Sequence, residues 1–306
     1  MNTNSYEQQV KLLLRVLPFF VNNNSFALKG GTAINLFVRN MPRLSVDIDL
    51  TYLLIEKREL SLNNISQTLS LSSQKITSKF PEITIRKKFS KSIPERINKL
   101  FIKSEDCLIK VEPNEIIRGT VYPCHILDLC NEAQEKFEMF IKVNTLSIAD
   151  LYGGKICAAL DRQHPRDFFD LKILIENEGL TEKIRKAFLV YLISHNKPIH
   201  NLLYPNLLNM ENIFNNEFQG MTTVPITYQD ICQVRQNLIE LLQEELTESE
   251  RKFLLLFKEK NPDWKLLGIP GIENLPAVKW KLKNLEKMPS EKHLLYVDKL
   301  KEVLGF

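Results

Sequence analysis

Phe26-Ala27-Leu28-Lys29-Gly30-Gly31-Thr32 and, a short helix later, Arg43-Leu44-Ser45-Val46-Asp47-Ile48-Asp49-Leu50-Thr51-Tyr52 decide how this chain reads. Phe26 to Leu28 is a short apolar strand, and the glycine pair after it lets the backbone turn tightly and approach a ligand without a Cβ in the way. Thr32 to Asn40 reads as a helix, so Gly30, Gly31 and Thr32 are expected to offer amide N–H groups and a hydroxyl to phosphate oxygens at a helix N-terminus. Residues 45 to 52 alternate, with Ser45, Asp47, Asp49 and Thr51 on one face and Val46, Ile48, Leu50 and Tyr52 on the other, the period of a half-buried strand. At about 3.3 Å per residue the two aspartate Cα atoms lie roughly 6.5 to 7 Å apart on one face. Their carboxylates can converge on a divalent cation, and hard oxygen ligands of this kind suit magnesium.

A second alternating stretch, Leu108-Ile109-Lys110-Val111-Glu112, is a strand that Pro113 is expected to stop. If it pairs beside the first, Glu112 becomes a third acid, either a further metal ligand or a base for an attacking hydroxyl. Downstream, Ser147 and Asp150 form a helix-capping pattern, and the helix they open carries Lys155 and Arg162 seven residues apart on one face. His164-Pro165 breaks it, and Arg166-Asp167-Phe168-Phe169-Asp170 starts another that runs to about Asn177 and closes at Gly179. Each feature alone also has a plain reading: a strand-to-helix turn, a solvated strand face, a surface glutamate, acids favoured by a helix dipole. Together they supply a phosphate-sized turn, a carboxylate pair, a third acid and cations able to hold a triphosphate.

In Leu28-Lys29-Gly30-Gly31-Thr32-Ala33, Arg43-x-Ser45-x-Asp47-Ile48-Asp49-Leu50 and Lys155-x6-Arg162-x3-Arg166-Asp167-x2-Asp170-Leu171 the chain resembles the AbiEii toxin family of bacterial nucleotidyltransferases, a branch of the DNA polymerase β-like superfamily, over nearly its whole length. The resemblance implies an α/β core with a mixed sheet and a magnesium-dependent transfer of a nucleoside monophosphate from an NTP to an acceptor hydroxyl, releasing pyrophosphate. It implies that Asp47 and Asp49 bind Mg2+, with Glu112 as the third candidate ligand, that Arg43 and Ser45 support the nucleotide, and that Lys155 contacts its phosphates. Asp170, or else Asp167, is implied as the downstream catalytic acid. Other superfamily branches have Gly-Ser where this chain has Gly30-Gly31, so a phosphate-contacting hydroxyl comes from Thr32 or is absent. The role implied is a toxin of a toxin–antitoxin or abortive-infection system, neutralised by a cognate antitoxin protein and modifying the tRNA 3′ end. Transfer to a protein or small molecule, a glycosyltransferase using Asp-x-Asp, and a catalytically inactive NTP- or RNA-binding module are the alternatives.

Composition bounds the rest. The 306 residues are 44% hydrophobic with 17 Phe, enough for one large core or two modest ones. Residues 10 to 21 are apolar but interrupted by Lys11, Arg15 and Pro18, so they suit an amphipathic helix, no membrane span is in sight, and the cytoplasm is the expected location. Five cysteines without a Cys-x2-Cys pair argue against a disulfide framework or a structural zinc site. Net charge is only +4, yet residues 75 to 103 hold nine Lys or Arg against Glu82 and Glu95. That segment suits a nucleic-acid acceptor, or is simply a solvated face. Ser61 to Ser73 reads as a loop plus a short helix. Helices are expected at 182–194, 227–242, 247–260, 276–287 and 291–302, with a loop at 266–276. The organisation expected is a nucleotidyltransferase core over 1–180 and a helical C-terminal domain over 181–306.

Overall fold

The computed structural model describes residues 3–22, 24–105 and 107–306, with side chains from Tyr6 onward. By packing, the chain divides into two compact units, Met1–Ser147 and Ile148–Phe306.

The first unit is built on a seven-stranded mixed sheet. Helices α1 (Thr3–Val16) and α2 (Pro18–Val21) come first, broken at Pro18. Strand β1 (Phe26–Lys29) leads into a single α-helical turn, α3 (Gly30–Ala33), which widens to π-helical geometry over Ile34–Val38. After β2 (Ile48–Tyr52), helix α4 (Arg58–Lys79) crosses to a hairpin of β3 (Thr84–Phe89) and β4 (Ile97–Ser104). Then come β5 (Cys107–Asn114), β6 (His125–Asp128), α5 (Asn131–Phe137) and β7 (Lys142–Thr145). The strand order is β3-β4-β5-β2-β1-β7-β6, with β2–β5 and β1–β7 parallel and the other neighbours antiparallel. Beneath it lie Phe20, Phe26, Tyr52 and the leucines of α1, with the Phe26 and Tyr52 rings edge to face at 5.7 Å on paired positions.

Three local expectations change. Residues 61–73 are not a loop and a short helix but lie within the 22-residue α4. Leu62, Ile65, Leu69 and Ile76 make a buried stripe at helical spacing, and the hydroxyls of Ser73 and Thr68 return to the carbonyls of Leu69 and Asn64 instead of capping an end. Pro113 does not stop β5, which continues to Asn114. It lies beyond the last residue paired with β4, where the strand has a neighbour on one side only, so its missing N–H leaves no ladder donor absent. The strand bearing the aspartates begins at Ile48, so Ser45 and Asp47 lie on the extended approach to it.

The second unit is helical: α6 (Ile148–Arg162), α7 (Pro165–Asn177), α8 (Glu182–Ser194), α9 (Ile199–Leu203), the single turn α10 (Glu211–Ile213), α11 (Tyr228–Glu245), α12 (Glu248–Lys258), α13 (Pro276–Glu286) and α14 (Ser290–Leu304). Capping boxes at Thr227/Asp230 and Thr247/Glu250 start α11 and α12. Gly153 lets α6 lie directly on α8, since a Cβ there would meet the Phe188 backbone nitrogen at 2.7 Å. This packing explains why the division falls after Ser147 and not near 180, where the composition turns helical: the last strand ends at Thr145, and α6 buries its apolar face on α8. Among the described residues no helix is long and apolar enough to cross a membrane.

Candidate active site

In the first unit the glycine turn and the aspartates are one construction. Gly30 has φ +77°, and a Cβ on it would stand 2.7 Å from Asp49 Oδ2. A Cβ on Gly31 would stand 2.7 Å from Arg43 Nη2 and 2.9 Å from Ser45 Oγ. The glycine pair therefore makes room for three polar side chains that close over the turn, Asp49 from β2 and Arg43 and Ser45 from the segment that leads into it. Thr32 is 1% exposed, and its hydroxyl donates to the Asp47 carbonyl at 2.5 Å and lies 3.1 Å from Ser45 Oγ. The hydroxyl expected to face phosphate thus pins the approach to β2, fixing where Asp47 leaves the sheet. Arg43 is buried, with Nη1 donating to the Leu44 carbonyl at 2.8 Å. Sequence reasoning missed Tyr6 on α1: its phenol is buried against the Ser45 backbone and the Arg43 charge, and burial raises its pKa. Only the apolar periodicity of α1 could have hinted that Tyr6 faces inward.

The register supplies the acids. Asp49 pairs with Lys29 on β1 and with Glu112 on β5, so Glu112 stands on the strand next to Asp49, as the pairing expectation required. Lys110 Nζ lies 3.3 Å from Glu112 Oε2 and 3.7 Å from Asp47 Oδ2, and Lys99 Nζ lies 2.9 Å from Glu112 Oε1. Burial raises the Asp49 pKa above its ordinary value, and Asp47 and Glu112 add to that against the opposing charges of Lys29 and Lys110. Glu112 is also disfavoured by burial, but Lys99 and Lys110 outweigh this and lower its pKa. Burial opposes the Lys110 ammonium, yet Asp47 and Glu112 raise its pKa on balance.

Among the described residues no group of three or more His, Cys, Asp or Glu is drawn together to hold a metal ion, so the three acids are not gathered as one ligand set. The physical reason is visible at Glu112, whose two oxygens are each taken by a lysine. Asp47 and Asp49 nevertheless fit a hard dication. They are oxygen donors on adjoining positions whose mutual repulsion helps lift the Asp49 pKa, an excess of negative charge that a cation would relieve.

The second unit contains a buried ion cluster on α6 and α7. Lys155, 6% exposed, places Nζ 3.0 Å from Asp167 Oδ1 and 2.8 Å from Asp170 Oδ2. Arg162 grips Asp167 in a fork, Nε to Oδ2 at 2.5 Å and Nη2 to Oδ1 at 2.8 Å. The α7 start that aims these acids is set by Pro165 in the first turn and by His164 Nδ1 accepting from the Arg166 amide at 3.2 Å. Burial disfavours the Asp167 carboxylate, but Lys155 and Arg162 outweigh it and hold its pKa far below the ordinary value. Lys155 therefore does not coat a solvated face. With both Asp167 oxygens engaged by cations, Asp167 orients Lys155 and Arg162.

Comparison with known proteins shows the family and the fold. The sequence model of the family described as nucleotidyl transferase AbiEii toxin, type IV TA system, matches residues 11–284. Among solved structures the chain is similar to MenT4, a nucleotidyltransferase toxin from Mycobacterium tuberculosis H37Rv, with a TM-score of 0.58 at 13% identity over 92% of this chain and 91% of that one. No curated protein matches by sequence. Since the family match spans most of the sequence, and the fold is that of a nucleotidyltransferase toxin, the chain belongs to the AbiEii family of type IV toxin–antitoxin nucleotidyltransferases.

Proposed function

We propose that the protein transfers a nucleoside monophosphate from an NTP to the hydroxyl at the 3′ end of a tRNA, with magnesium bound at Asp47 and Asp49, and that a cognate antitoxin restrains it. The observation that carries this reading is the Asp49 carboxylate poised over Gly30, beside Asp47 and in register with Glu112.

The magnesium, when bound, would neutralise charge on the triphosphate and lower the pKa of the attacking hydroxyl. The chain's own groups do the positioning. Gly30 and Gly31 let the Asp49, Arg43 and Ser45 side chains come close over the turn, and Thr32, spent on the Asp47 carbonyl, holds the backbone at Asp47. The Arg43 guanidinium and Ser45 hydroxyl, packed on Gly31, support the nucleotide. Glu112, its pKa lowered by two lysines, stays ionised and makes a poor proton acceptor, so its contribution is electrostatic. In the helical unit the family resemblance would give Lys155 and Arg162 a phosphate-binding role and Asp170 that of the downstream acid, and Asp167 holds the two cations.

For the acceptor, support comes from the basic segment 75–103, which builds the β3–β4 hairpin at the sheet edge. Some of its charge has local work: Arg96 pairs with Glu59 and Asn63, and Arg86 stacks on Phe101 at 4.6 Å. Lys88 and Lys91 remain exposed. Incubation with each α-labelled NTP, magnesium and total tRNA tests the reading. Label on tRNA is expected; label on protein or a small molecule reassigns the acceptor, and nucleotide retained unreacted reduces the protein to a binding module.

A further inference from the structure

In the helical unit Lys258 meets an aromatic ring but, among the described residues, no carboxylate. Lys258, at the end of α12, is 4% exposed, and among the described residues no carboxylate lies within ion-pair distance of it and no acceptor takes a hydrogen bond from its ammonium. Its Nζ lies 5.0 Å from the centre of the Tyr296 ring on α14, and Lys292 Nζ lies 5.6 Å from the same ring. The His200 ring meets Tyr296 edge-on at 5.1 Å. On α13, Lys281 is drawn in as well, its ammonium donating to the carbonyls of His195, Asn196 and Lys197 at the end of α8. The charges that bear on Lys258 are those of Lys260 and Lys292, and its own bears on Lys281 and His200.

Buried charges are ordinarily paired. Here α12 and α14 bring two ammonium groups to one aromatic ring, and two nearby acids are turned elsewhere, Glu250 to Arg185 and Glu259 toward Lys301. Burial and neighbouring cations lower the pKa of both Lys258 and Lys281 to about 8. An anion placed between Lys258 and Lys292 turns their repulsion into two attractions, while Lys281, whose donors are already used, adds only its field. The surroundings favour a polymer over a lone small anion. Trp280, beside Lys281, is 58% exposed, and α13, α14 and the turn between them carry seven lysines between 279 and 301, so further phosphates and a base would find partners alongside.

We propose that Lys258, Lys292 and Tyr296 form a phosphate seat that takes a backbone phosphate of the acceptor RNA. This rests on the reading of the acceptor as RNA given above, and its test is kept apart from transfer.

The test is anisotropy of labelled tRNA with the full chain across a range of salt. Lys258→Met keeps the side-chain volume and removes the charge, and Lys292→Gln changes an exposed residue that folding does not need. Each variant is expected to bind tRNA about tenfold more weakly at low salt, and to flatten the slope of log affinity against log salt by about one, the loss of one phosphate contact. Lys258→Met should melt no lower than wild type, because a lone buried cation has gone; a purely structural lysine predicts a lower melting temperature with an unchanged slope. Wild-type affinity and slope in both variants overturn the proposal, as does wild-type protein that binds no tRNA. If inorganic phosphate at constant ionic strength raises the melting temperature of wild type but not of Lys258→Met, while tRNA binding is unchanged, the seat belongs to free phosphate and the RNA assignment falls. Label transfer to a different acceptor by a wild type that ignores tRNA would leave the enzymatic reading standing and sink only this one.

Discussion

Replacing Gly30 by alanine tests the central construction with a single methyl group. The residue sits at φ +77°, where a side chain costs roughly 1–2 kcal/mol of backbone strain. The new Cβ would lie 2.7 Å from Asp49 Oδ2, while 3.4 Å to Asp49 Cβ and 3.5 Å to its Cγ are ordinary contacts, so it is the carboxylate that must turn away. Restoring an ordinary contact displaces the oxygen by about 0.7 Å. A displacement approaching 1 Å at a reacting centre costs on the order of 100-fold in rate. Gly30→Ala should therefore lose about 1–3 kcal/mol in thermal or denaturant unfolding, and about 100-fold in turnover measured as label transferred from NTP. Gly31→Ala has no positive φ to strain, and its Cβ meets the ends of Arg43 and Ser45 instead. It should unfold nearly like wild type and weaken NTP use while sparing the maximal rate more. A Gly30→Ala protein with wild-type melting and turnover would refute the claim that Asp49 is held over this turn to act there.

Asp49→Asn removes a group whose pKa is raised by burial and by Asp47 and Glu112. A raised acid contributes stability below its unfolded pKa, near 3.8, which is lost as pH rises through the folded value, so the variant should match wild type in acid and become the more stable of the two toward neutrality. Magnesium should raise the melting temperature of wild type but not of Asp49→Asn; an equal rise in both would remove the metal from this site. Lys155→Met leaves two buried carboxylates short of a cation and should destabilise by roughly 3–5 kcal/mol, read by denaturant unfolding. Asp167 is depressed by Lys155 and Arg162, so its contribution is present above its unfolded pKa and lost as pH falls below about 3.8; Asp167→Asn should flatten acid unfolding over that range, and an unchanged acid limb would contradict the fork geometry. Neutralising Lys87, Lys88 and Lys91 together should reduce the salt slope of tRNA binding independently of Lys258, and an identical slope would leave the β3–β4 hairpin as a charged edge that merely discourages strand pairing.

Much of the site was legible because local chemistry repeats at fixed spacing. The period of two brought Asp49 to one face with its apolar neighbours on the other, and His164-Pro165 marked the break between α6 and α7 from residue types alone. The α4 helix was not legible in the same way, since its serines favour turns until a stripe of Leu and Ile finds a surface to cover.

By itself the sequence determined the strand, the glycine turn, the aspartate spacing and the helices that carry Lys155 and Asp170, since backbone conformation and alternation act over a few residues. Only the tertiary structure decided that Glu112 stands in register with Asp49, that Thr32 binds a backbone carbonyl in place of an outward role, that Lys99 and Lys110 meet the acids, and that Lys258 is buried among cations. Those facts depend on which distant segments touch, and burial, pairing and pKa are properties of the contact and not of the residue.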